Sequence, residues 1–161
     1  MTLEVGSQAN RKMKKGALLP NAEHVVRHVP FAKTRRDSSG KILGILPTAI
    51  ERRDGEDYLS VSHLEHFSGD ADEQLKQVKS AIAAGKKTGS LGANGLLAKA
   101  NVGQIKVAVQ QRASSKIRIA YLPTKADTSH SGVYEIPQDD AELMAELADD
   151  VFAETVLIGN I

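Results

Sequence analysis

The chain has no cysteine and no tryptophan, and only 4 % of its 161 residues are aromatic. Without cysteine there is no disulfide framework, no thiolate metal site and no Cys nucleophile. A reducing cytoplasm suits such a chain and is its expected location. With so few rings, a stacking platform for single-stranded nucleic acid is not expected. No run of about 18 apolar residues is present, so neither a transmembrane helix nor a membrane partner is expected. A signal-peptide core is missing as well, because Leu18 and Leu19 run straight into Pro20 and Asn21. Neither charge dominates: 21 basic residues face 20 acidic ones, which argues against nucleic acid as the main partner. Two enzyme signatures are also absent. Gly-x-Ser-x-Gly would mark a nucleophile elbow, and Gly-x-Gly-x-x-Gly would mark a dinucleotide fold. No cofactor is expected.

What is present fits one domain with an aliphatic core. Hydrophobic residues make up 41 % and charged residues 25 %, both ordinary for a globular chain. Residues 1–19 read as a flexible basic tail carrying Arg11, Lys12, Lys14 and Lys15. The domain is expected over 20–161. Its first strand is predicted over 23–30, where Val25, Val26 and Val29 are β-branched and Pro30 stops the ladder. Both faces of that strand are mixed, which suits an edge or a site-lining position. A short strand over 42–46 follows the turn Asp37-Ser-Ser-Gly40.

Residues 57–67 are predicted to begin as a strand and end as a helix, with Ser62 and Glu65 forming a capping box. Such a junction presents free N–H groups to small anions. A clear helix is expected from about 70 to 84, capped by Asp70 or Asp72 and striped by Leu75, Val78 and Ile82. The glycines of 86–95 fail the phosphate-loop spacing and read as a connection. A second helix is expected from Asn101 to about Ala113, unless Leu96-Leu97 brings helix in earlier, with Gly103 marking a close approach by a neighbour. Residues 116–122 and 132–136 read as an antiparallel hairpin, and a final helix is expected over about 141–155. The resulting fold class is α+β: a single compact domain with a small mixed or antiparallel sheet packed by about four helices.

Several phrases in order carry a resemblance: Arg27-His-Val29, Leu59-Ser-Val61 before Leu64-Glu65, Asn101-Val-Gly103 with Ile105-Lys106, and Ser129-His130. The chain is similar across about 20–155 to a family of small uncharacterised bacterial proteins. That resemblance implies no activity. It places an aromatic at the position of His63, which weakens a metal role there.

Three polar sets are candidates. Arg27, His28 and His130 could perform acid–base cleavage of a phosphodiester, with Arg27 holding the phosphate and Ser129 or Thr128 adding a hydrogen bond. Arg27, Ser60 and Glu65 resemble the dinucleotide-holding set of ADP-ribosyltransferases, although there the Glu comes from a later strand. His63, Glu65 and His66 miss the metalloprotease pattern, which needs its histidines four apart, so no metal site is expected. Ser60, Ser62, Glu65 and Ser129 are the expected binding positions. The leading functional expectation is a non-catalytic accessory or interaction protein, with a protein partner or self-association through the acidic final helix. The alternative is a small metal-independent hydrolase or nuclease built on Arg27, His28 and His130.

Overall fold

The structure is a computed structural model that describes residues 13–161. Arg11 and Lys12 of the basic tail lie outside the described residues. Chain order gives β1 (His24–Val29), β2 (Thr34–Arg36), β3 (Ile42–Ile45), β4 (Tyr58–His63), α1 (Ala71–Ala84) and β5 (Leu96–Asn101). Then come α2 (Val102–Gln110), β6 (Arg118–Tyr121), β7 (His130–Tyr134), α3 (Ala141–Glu146) and β8 (Glu154–Leu157). Six strands form one sheet in the order β6-β7-β4-β1-β5-β8, antiparallel throughout, and β2 and β3 form a separate hairpin.

This corrects the expected small sheet packed by about four helices. Among the described residues there are eight strands and three α-helices, and the helices are short. Two segments account for the difference. Leu96, Leu97 and Ala98 are all buried because β5 lies inside the sheet with both faces covered. Such a strand reads as an unbroken apolar run and loses its period of two. At the C-terminal end, α3 stops at Glu146 and closes through a π-turn, Leu147–Val151. The β-branched pair Thr155-Val156 then joins β5 as an edge strand. Strand β1 is no edge either, since β4 and β5 flank it.

One face of the sheet offers Val25, Val29, Leu59, Val61, Ile119 and Val133 to the main core. Ile105 and Val109 of α2 and Leu143 and Leu147 of the C-terminal helix fill that core. On the other face Val26 and Leu97 pack against Val78, with the predicted stripe residues Leu75 and Ile82 beside them. So α1 covers only the β1–β5 side. It starts with a true capping box, in which Asp70 accepts from the Glu73 amide and Glu73 reaches back to the Asp70 amide. Gly103 does mark a close approach: a Cβ there would lie 3.1 Å from the Asn21 carbonyl. Pairing with the sheet begins early in the chain. The Gly16 and Leu19 amides donate to Tyr121 and Ile119 along the outer edge of β6, which shields that edge.

The predicted capping box at Ser62 does not form. Ser62 stays in the ladder, opposite both Val26 and His130. The following single turn, Leu64–His66, is a 3-10 turn with no side-chain cap. Pairing with two neighbouring strands outweighs the roughly 1 kcal/mol that a cap contributes.

Candidate functional site

The site lies where the centre of the sheet opens. β1 pairs with β5 over six residues, but with β4 over only two, Val25↔His63 and Val26↔Ser62. Beyond Val26 both strands continue without pairing. Backbone groups along a strand face alternate neighbours. The His63 amide donates towards the β7 side, to the Ser129 carbonyl, so the carbonyl of Ser60 points towards β1. No β1 amide reaches it there. The Arg27 side chain takes over: Nη1 donates to the Ser60 carbonyl at 2.8 Å and Nε to the Ala49 carbonyl at 2.9 Å. Burial, with help from Arg53, pulls the Arg27 guanidinium down to about 10. It remains charged at neutral pH.

A cleft of about 720 Å³ occupies this opening, roofed on one side by the C-terminal end of α1. Arg27, His28, Ser60, Ser62 and His130 all line it. The set predicted as catalytic therefore shares one cavity, together with two of the predicted binding serines.

Ser60 and His130 form the tightest polar contact there. Ser60 pairs with Gly132 and Ser62 with His130, so Ser60 and His130 are diagonal neighbours on one face. The His130 ring is held at both nitrogens. Nδ1 lies 2.7 Å from the Leu122 carbonyl, which can only accept. Nδ1 thus carries the proton in the neutral ring, and the bare Nε2 accepts from the Ser60 hydroxyl at 2.5 Å. Tyr58 packs edge-on against the ring at 5.8 Å. Gly132 makes room for this, because a Cβ there would lie 2.9 Å from both Tyr58 and Leu122. A hydroxyl aimed at a base whose other nitrogen is oriented by a third group is the general layout of an activated nucleophile. A backbone carbonyl fills the orienting place here.

Arg27, Arg53 and Lys86 share the lining of the cleft with the carboxylates of Glu51, Asp54 and Glu56. The His28 imidazole is pulled down to about 4, mainly by burial and further by Lys86, Arg27 and Arg53. The Lys86 ammonium is lowered by burial and by Arg53 and Arg27. These cations raise one another's cost, and an anion placed among them would relieve it. His28 is consequently neutral at pH 7. It can accept a hydrogen bond, but it does not hold the proton that a two-histidine mechanism would need. Nothing in the sequence singles out Arg53 and Lys86. They read as a turn and a helix end, and only the fold aims them inward.

The remaining predicted positions sit elsewhere or do structural work. Ser129 is fully buried. Its amide and hydroxyl both donate to Asp127 Oδ1, at 2.9 and 2.5 Å. Ser62 Oγ donates to the other carboxylate oxygen at 3.4 Å. Asp127 thus ties the loop before β7 to β4 and fixes where His130 starts. Glu65 is outside the cleft and accepts from the His24 amide and ring, each at 2.7 Å. The Arg27, Ser60 and Glu65 combination therefore does not assemble around the cleft. His66 bonds Thr128 at 3.0 Å and is not part of the group of close ligand atoms. Instead Glu23, His63 and Glu65 bring potential ligand atoms within 4.8 Å of one another. No helix among the described residues is long and apolar enough to cross a membrane. Compared with protein-family models, curated proteins and solved structures, the chain matches none of them.

Proposed function

We propose that the protein is a small metal-independent hydrolase of anionic esters, with phosphoesters the best-fitting class, acting in the cytoplasm. The observation that carries this reading is the Ser60–His130 pair inside a cleft that Arg53 and Lys86 also line. In the first step the Ser60 oxygen attacks phosphorus and its proton passes to His130 Nε2. The bond to the leaving oxygen breaks, and that oxygen takes the proton from Nε2. Water, deprotonated by the same nitrogen, then attacks the phosphoseryl group, and Ser60 recovers its proton. Arg53 and Lys86 offset the charge on the equatorial oxygens. Arg27 holds the strand that carries Ser60.

The interaction-protein expectation draws on the lack of a strong catalytic signature and on the acidic final helix, whose apolar residues Leu143, Met144 and Leu147 are buried in the main core.

Hydrolysis of bis(p-nitrophenyl) phosphate and p-nitrophenyl phosphate in the presence of EDTA tests the proposal. Ser60→Ala and His130→Asn should each lower the rate about 10²–10⁴-fold, the usual contribution of a positioned base and its nucleophile. Equal rates in wild type and both variants, or no turnover of either ester, would reject it.

A further inference from the structure

We infer that Glu23, His63 and Glu65 form a binding site for a divalent first-row transition metal ion, with Zn2+ the best fit. The antiparallel pair Val25↔His63 places the start of β1 beside the end of β4. Glu23, just before β1, therefore meets Glu65, just after β4, with His63 between them. His63 Nε2 lies 2.6 Å from Glu23 Oε1 and 3.8 Å from Glu65 Oε1. Tetrahedral ligands at zinc bond lengths stand about 3.4 Å apart, so the cluster needs only a small adjustment. The His63 side chain is 3 % exposed, whereas the two carboxylates are partly exposed, at 23 % and 28 %. A cation can enter from that side, and water can fill the fourth position.

The donor set selects the metal. One imidazole nitrogen and two carboxylates suit zinc and its neighbours better than magnesium or calcium, which prefer oxygen alone. Two carboxylates also match a divalent charge. Glu65 is already oriented as a ligand should be, since His24 donates to both of its oxygens. His63 is less well supported: its Nδ1 is buried without a partner. An outer partner on a ligating imidazole is commonly worth about 10–100-fold in affinity, so micromolar rather than nanomolar binding is expected.

The site joins the first residues of β1 to the turn after β4, on the far side of their paired segment from the cleft. Its occupancy should therefore show as stability. The test is calorimetric titration of chelator-treated protein with ZnCl2, alongside MgCl2, followed by thermal unfolding. One Zn2+ per chain should bind and raise the unfolding temperature, with no effect of Mg2+ at equal concentration. Glu23→Gln and Glu65→Gln should each weaken Zn2+ binding at least about tenfold. In wild-type protein the 15N resonance of His63 Nε2 should shift on zinc addition, a readout that needs no variant. No zinc binding, unchanged affinity in both variants, or an unmoved His63 resonance would overturn the inference.

Discussion

Arg27 shows how much a single side chain decides here. It ends the pairing of β1 with β4 and replaces the missing ladder contacts with its own donors. Arg27→Met keeps most of the volume but leaves the Ala49 and Ser60 carbonyls without those donors. The expected cost is about 2–4 kcal/mol, from two unsatisfied buried carbonyls, measured by urea unfolding. His28 gives a pH prediction. Its folded value is about 4, against 6.5 for an ordinary histidine. As pH falls through 6.5 the unfolded chain takes up a proton that the folded chain refuses until near 4. Stability should therefore fall between those limits, and His28→Gln should flatten the slope between pH 7 and pH 5. Of the site residues, Arg27, His28, Ser60 and His130 stood out in the sequence as polar groups in or next to β-rich runs. Arg53 and Lys86 did not, because a basic residue in a turn or at a helix end carries no mark of the direction it will face. Glu23 lies 40 residues from His63, so no local spacing could join them.

At the scale of elements, α1 was legible almost to the residue. Its cap, its stripe and its stop are all local signals, and the fold leaves them intact. The hairpin β6–β7 was legible for the same reason, through clean alternation. What failed were segments whose state depends on distant neighbours. Ser62 is surrounded by helix-start signals, yet two strands hold it extended. Glu154–Leu157 continues an apolar helical pattern, yet an open edge of β5 captures it. Gly132 lies in the opposite situation, since its lack of a side chain is what lets Tyr58 and Leu122 meet across β7. Gly132→Ala must displace an aromatic ring or the strand itself. A loss of about 1–3 kcal/mol is expected from such overpacking, with chemical-shift changes at His130 in the NMR spectrum. An unchanged unfolding midpoint would show that the strand yields without strain.

Across the whole molecule, one sheet does two jobs because its two faces are covered unequally. The main core seals one face. On the other, α1 shields β1 and β5, and the polar residues of β4 and β7 are left to line a cavity. The opening between β1 and β4 lets cationic groups from the turn after α1 and from the turn before β4 reach the same cavity. Under the proposed hydrolase function, this arrangement gives Ser60 an oxygen nucleophilic enough to react. The most direct measurement is intact-mass and peptide mapping after exposure to a fluorophosphonate, comparing wild type with His130→Asn. A single adduct on Ser60, formed at least about a hundredfold more slowly without the histidine base, is the predicted result. An adduct at another residue, no adduct, or equal rates in the two proteins would contradict it.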